Sequence, residues 1–206
     1  MLGVYNYTVI LTYIGMLTGL TGIGFAMGGK LPWALLCLLL AGLCDMFDGK
    51  IASTMERTAQ EKRFGVQIDS LSDLICFGVL PGVIVYSTAP GKNAVAAVAG
   101  LYVLCALIRL AWFNVDEEER QDATDSQREL YRGLPVTTSA LFLPTLLGLA
   151  RLLSWPLPLL GVVLLAVMAV AFLTPFKLVK PRLTGKIIML LIGCGEMVIV
   201  LLGVKQ

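Results

Sequence analysis

Seven stretches of this chain, 8–28, 31–52, 66–88, 93–115, 134–153, 157–176 and 184–204, are apolar over nearly the length a bilayer demands. A helix needs roughly 20 mainly apolar residues to cross the hydrocarbon core. A soluble helical core would instead show polar faces at a period of 3.6, which most of these runs lack. Composition agrees: 57% of the 206 residues are hydrophobic and 15% charged, with a mean hydropathy of +0.84. Soluble domains are nearer half apolar and a quarter charged. The sequence therefore predicts an all-α, polytopic transmembrane helix bundle, a single domain over 1–206. The spans number six to seven, because 157–204 can also pack as one span plus a broken helix.

The basic residues orient the bundle. Lys50, Arg57, Lys62, Arg63, Arg109, Arg120, Arg128, Arg132, Lys177, Lys180, Arg182 and Lys186, twelve of the sixteen, fall on one side. Only Lys30, Lys92, Arg151 and Lys205 fall on the other. Under the positive-inside rule the N-terminus and the twelve cations face the cytoplasm, in a multi-pass protein of the cell membrane. The first basic residue is Lys30, so no charged segment precedes the first apolar run, which is expected to stay in the mature protein.

Histidine is absent, which removes Ser-His, Cys-His and His-zinc chemistry. All five cysteines lie inside apolar runs without CxxC spacing and read as small core residues. The longest polar segment, 116–132, carries seven acids against three arginines and reads as a solvated cytoplasmic loop or short surface helix. Connections are expected at 29–30, 53–65, 89–92, 154–156 and 177–183.

Carboxylates are expensive at bilayer depth. Four cluster near the cytoplasmic ends of two spans: Asp45 and Asp48 in CDMFDGKIA, Asp69 and Asp73 in FGVQIDSLSDLICFG. The spacings i,i+3 and i,i+4 put each pair on one helical face. Two such faces turned together would present four like charges to one cavity, a conflict that divalent cations resolve. Hard oxygen ligands suit magnesium, manganese or calcium. Gly49, Ala52 and Gly65 lie on or beside the carboxylate faces and let a bulky group approach the backbone.

These residues resemble the signature of the CDP-alcohol phosphotransferase family, D-x-x-D-G-x-x-A-R, a spacer, then G-x-x-x-D-x-x-x-D. Here it runs Asp45, Asp48, Gly49, Ala52, then Gly65, Asp69, Asp73. Two departures stand out: Ser53 occupies the usual arginine position, and the spacer is about three residues longer than its common form. Arg57, Lys62 or Arg63 from that spacer are the candidates to replace the phosphate-binding arginine. The resemblance implies two bound divalent ions, held by Asp45, Asp48 and Asp69, with Asp73 as general base that also touches metal. It implies that cytidine lies near Gly49, Ala52 and Gly65, and that Thr12 lies near the nucleotide, although Gly15 stands where the family has asparagine. A homodimer follows from the resemblance alone.

Narrower segments resemble the family's phosphatidylserine synthase branch: Phe64-Gly65 through Asp73 with Phe77-Gly78 and Pro81, Arg109-Leu110-Ala111 with Phe113-Asn114, and Gly133-Leu134-Pro135. That branch joins CDP-diacylglycerol and L-serine, giving phosphatidylserine and CMP. Serine carries a carboxylate, which Arg109 can clamp bidentately, with Arg132 and Lys180 as further cations. Asn114 can accept from its ammonium. The alternatives are a sister enzyme using glycerol 3-phosphate or inositol phosphate, with a more basic pocket, and a divalent-cation transporter. A transporter would place acids at the midplane within internal repeats, whereas these gather at one end and no repeat is visible. Nucleic acid is not among the expected partners.

Overall fold

The computed structural model describes residues 3–123 and 130–179, together with 192, 193, 195 and 198. The expected span 184–204 and Lys180 therefore lie essentially outside the described residues. Among the described residues, four helices are long and apolar enough to cross a membrane: Tyr7–Met27, Leu31–Ala52, Ala59–Ser87 and Asn93–Glu119. Two shorter apolar helices, Val136–Leu152 and Leu157–Leu173, follow. The elements are α1 (Tyr7–Met27), α2 (Leu31–Ala52), α3 (Ala59–Asp73), a π turn (Leu74–Val79), α4 (Leu80–Ser87) and α5 (Asn93–Ala123). Then come β1 (Leu130–Arg132), a 3-10 turn (Val136–Thr138), α6 (Ser139–Leu152), α7 (Leu157–Leu173) and β2 (Lys177–Val179). The strands form a small antiparallel ribbon with Leu130 opposite Val179 and Arg132 opposite Lys177. It is the one non-helical feature described in an otherwise helical bundle.

Helix ends are set locally. Asn6 caps α1 by accepting from Thr8 N at 3.2 Å. Pro32 opens α2, where its missing N–H costs nothing. Thr58 and Glu61 form a capping box at the start of α3, each side chain meeting the other residue's backbone N–H.

The distribution of side chains is that of a protein in lipid. On α1 the buried residues are Thr8, Val9, Thr12, Gly15, Gly19, Gly22 and Ala26, small or polar apart from Val9. Its large residues point outward, with Leu17 at 59% exposure. The glycines are what allow close packing: a Cβ at Gly19 would come within 2.6 Å of Cys76 Sγ, and one at Gly22 within 2.8 Å of Cys37 Cβ. Cysteines thus fill the small volumes opposite the glycines. On α7, Val163, Val167 and Val170 likewise face out, the last at 68%. Trp33 and Trp155 are exposed beside the α1–α2 and α6–α7 turns, and Trp112 is exposed toward the opposite end. Exposed indoles at both ends match the interfacial belts of membrane proteins.

A widened turn interrupts the third membrane helix directly after Asp73. The cause is Pro81, four residues beyond Phe77: an α-helical bond to the Phe77 carbonyl would need the N–H that proline lacks. Two hydroxyls replace it. Tyr102 on α5 donates to Phe77 O at 2.7 Å, and Ser139 at the start of α6 donates at 3.2 Å. Local sequence therefore creates an orphan carbonyl, and tertiary packing satisfies it with three helices meeting at one atom.

Two expected boundaries are corrected. The connection 53–65 is shorter, because α3 begins at Ala59 under its capping box. The acidic segment beginning at residue 116 continues α5 as helix to Ala123, since no glycine or proline between Leu101 and Ala123 stops it. At about 1.5 Å per residue, the 29-residue helix Ala59–Ser87 is roughly 44 Å long and the 31-residue α5 roughly 46 Å. Both exceed the roughly 30 Å hydrocarbon core. Their extensions at the end that carries the aspartates become walls of a cleft.

Candidate active site

The cleft has a volume of about 410 Å³ and lies among α1, the end of α2, the start of α3 and the end of α5. Its lining includes Thr12, Asp48, Gly49, Ala52, Gly65 and Asp69. Residues of both halves of the signature and the first-span threonine thus line one cleft. Thr12 Oγ1 donates to Asp48 Oδ2 at 3.2 Å, in a buried contact between α1 and α2. One face-neighbour further, Ser72 Oγ donates to Thr12 O at 3.4 Å.

Asp45, Asp48 and Asp69 each offer a carboxylate oxygen, and these oxygens all lie within 4.8 Å of one another. Two oxygens bound to one hard cation at 2.0–2.6 Å stand no more than about 5 Å apart, so the trio fits a magnesium, manganese or calcium ion. Asp48 is buried, and Asp45 and Asp69 are half-buried. Asp73 lies one turn beyond Asp69 on α3, half-buried, as the last residue before the π turn.

The expected phosphate ligands Arg57, Lys62 and Arg63 all line the same cleft. Arg57 occupies the α2–α3 turn, one residue before the Thr58 cap. Ser53, at the usual arginine position, is exposed and turns its hydroxyl back to Lys50 O at 2.7 Å.

Of the expected acceptor residues, Asn114 lines the cleft; Arg109 is not among the described lining residues, and Lys180 lies outside the described residues. Asn114 Oδ1 accepts from Ser70 Oγ at 2.9 Å, which ties α5 to α3. Arg109 is 6% exposed; its Nε donates to Leu134 O at 3.3 Å and its guanidinium lies 5.5 Å from the Phe113 ring centroid. Gly133, at φ +78°, completes that corner, where a Cβ would press on Phe172 O and Thr174 O. Arg132 lies in β1, where backbone pairing to Lys177 places it. Sequence reasoning missed Thr8, Val9, Val66, Gln67, Glu117 and Glu118, which also line the cleft. The glutamates carried a signal in the unbroken helical run to Ala123, but their acidity pointed to solvent.

The sequence matches the family model of the CDP-alcohol phosphatidyltransferases over residues 5–176. The chain belongs to this family. The family is metal-dependent, and Asp45, Asp48 and Asp69 form an acidic cluster that could hold a metal ion. A CDP-diacylglycerol–serine O-phosphatidyltransferase of Mycobacterium leprae is 34% identical over 142 residues, 68% of this chain and 45% of that protein. One of Saccharomyces cerevisiae is 32% identical over 149 residues, 67% of this chain and 52% of that protein. An archaetidylserine synthase of Methanothermobacter thermautotrophicus is 37% identical over 107 residues, 52% of this chain and 46% of that protein. The aligned part of this chain spans about half the length of these relatives.

Proposed function

We propose that this phosphatidyltransferase family member transfers the phosphatidyl group of CDP-diacylglycerol to L-serine, giving phosphatidylserine and CMP. The observation that carries the proposal is the meeting of Asp45, Asp48 and Asp69 in a cleft that also collects Thr12, Gly49, Ala52 and Gly65. Serine as acceptor is supported by relatives whose names specify serine or archaetidylserine.

Asp45, Asp48 and Asp69 would hold divalent metal, two ions by family resemblance, with Mg2+ or Mn2+ preferred and Ca2+ an alternative. The chemistry supplied by bound metal is neutralisation of the pyrophosphate and of the departing CMP. The chain's own residues do the rest. Thr12 fixes the Asp48 carboxylate through its hydroxyl. Gly49, Ala52 and Gly65 line the part of the cleft in which family resemblance puts the cytidine. Asp73 takes the proton of the serine hydroxyl as the serine oxygen bonds to the phosphorus nearest the lipid. The bond from that phosphorus to CMP breaks, and no enzyme nucleophile intervenes.

For the acceptor, Glu117 and Glu118 on the α5 wall are assigned to the ammonium and Asn114 to its polar neighbourhood. Arg109, a turn and a half before Asn114, is assigned to the carboxylate, with Arg132 and Lys180 as further cationic candidates. The basic-residue partition supports a cytoplasm-facing cleft in the cell membrane, and the family resemblance supports a homodimer.

The test is turnover by purified protein with CDP-diacylglycerol and a panel of labelled alcohols, following CMP. Serine should be consumed. Rapid CMP release with glycerol 3-phosphate and none with serine would install the sister-enzyme assignment instead.

A further inference from the structure

The cleft is lined by charges of both signs. Asp48, Asp69, Glu117 and Glu118 are the acids of its lining, and Arg57, Lys62 and Arg63 are the bases. Lys62 and Arg63, the fourth and fifth residues of α3, are exposed, whereas Arg57 is half-buried. Among the described residues, Arg57 Nε is a buried side-chain nitrogen with no hydrogen-bond partner. A guanidinium cannot shed its proton to escape that cost, and an unsatisfied buried donor is expensive. Among the described residues nothing accepts from this Nε, although the Glu61 carboxylate lies near enough to feel the charge of Arg57.

The surroundings hold the group in place. Backbone bonds from Ser53 N to Gly49 O and from Thr54 N to Ile51 O wind off α2. The capping box of Thr58 and Glu61 then starts α3 immediately after Arg57. Arg57 Nη1 lies 3.2 Å from the position a Cβ on Gly65 would occupy, so the glycine keeps open the space the guanidinium uses. Position 53 offers no competing cation, since Ser53 is exposed and bonded to its own helix end.

A ligand satisfying both signs of charge must be anionic at Arg57 and able to share a hard cation with Asp48 and Asp69. A phosphoanhydride meets both demands. We infer that Arg57 is the direct protein ligand of the donor's pyrophosphate, whereas Lys62 and Arg63 contribute attraction from solvent. The assignment rests on the proposed CDP-lipid function and names the residue through which this chain grips that donor.

The test is equilibrium binding of CDP-diacylglycerol in detergent micelles with Mn2+ and no acceptor, so that acceptor identity does not enter. Arg57→Gln should weaken binding about 10–100-fold, the loss of one or more charge-assisted hydrogen bonds. Arg57→Lys should recover only part, because a point charge lacks the planar fork. Lys62→Gln and Arg63→Gln should lose several-fold less, and their losses should fade between roughly 0.1 and 0.5 M salt as screening shortens. Cytidine, which has no phosphate, should compete equally well in the unaltered and Arg57→Gln proteins. The melting temperature should hold in Arg57→Gln, since no internal hydrogen bond of Nε is lost; a purely structural arginine would lower it. Binding of CDP-diacylglycerol by Arg57→Gln within twofold of the unaltered protein overturns the assignment, as does full recovery with lysine. Failure of the unaltered protein to bind the CDP-lipid overturns the proposed function along with it.

Discussion

Thr12 on α1 donates its hydroxyl to Oδ2 of Asp48 on α2 at 3.2 Å, across 36 positions of sequence. A hydrogen bond to a charged acceptor contributes about 1.5–3 kcal/mol. Thr12→Val keeps the shape and deletes the donor, so the metal concentration for half-maximal turnover should rise roughly tenfold. Thr12→Ser should restore it. An unchanged metal requirement in Thr12→Val would separate this hydroxyl from the function of Asp48.

The metal trio makes a sharper demand. Asp45→Asn, Asp48→Asn and Asp69→Asn each remove one charge from oxygens gathered within 4.8 Å. Each should lower metal affinity and turnover together, and excess EDTA should abolish CMP release by the unaltered protein. Full activity in EDTA would dismiss metal from the reaction.

Asp73 should separate from the trio by its kinetics. As a general base it accounts for roughly 10²–10⁴ in rate. Asp73→Asn should therefore lose turnover by that factor while retaining most CDP-lipid binding. Near-normal turnover would remove Asp73 from the mechanism.

The parts of this site that could be read from sequence were local ones. Asp45 with Asp48, and Asp69 with Asp73, needed only helical spacing to share a face. Thr12 came from family resemblance, because nothing local to α1 announces a contact with α2. Arg57, Lys62 and Arg63 were indistinguishable as a basic spacer; separating them takes burial, a property of the folded turn. Glu117 and Glu118 were misplaced because hydropathy ended the span at residue 115, whereas the helix runs on to Ala123. The widened turn after Asp73 had its signal in Pro81, but the hydroxyls of Tyr102 and Ser139 that answer it lie far away in sequence.

That junction yields a stability prediction independent of activity. Tyr102→Phe removes one of two donors to Phe77 O, and Ser139→Ala the other. Each should cost about 0.5–1.5 kcal/mol, and the double variant more than the sum, because the carbonyl is then buried without a partner. Thermal unfolding in detergent reads all three. A strictly additive double variant would mean that water or backbone rearrangement satisfies the carbonyl.

The acceptor wall provides the last test. Glu117 and Glu118 line the cleft beside Asn114, whose Oδ1 is engaged by Ser70. Two carboxylates suit an ammonium and repel the phosphate of glycerol 3-phosphate or inositol phosphate. Neutralising them with Gln should therefore act in opposite directions on two acceptor classes. In the double variant, the serine KM should rise about 10–100-fold, for the loss of charge-assisted contacts, with the CDP-lipid KM little altered. Turnover with glycerol 3-phosphate, negligible in the unaltered protein, should become measurable as the repulsion is lifted. Arg109→Ala should raise the serine KM over a similar range, and should also depress the melting temperature because its Nε bond to Leu134 O is lost. Arg109→Lys should rescue incompletely. The two sites then separate cleanly: glutamate substitution broadens acceptor choice, whereas loss of Arg109 weakens serine without admitting phosphate-bearing alcohols. If the glutamine variants keep the serine KM and still reject glycerol 3-phosphate, the ammonium is held elsewhere and the α5 wall only shapes the entrance.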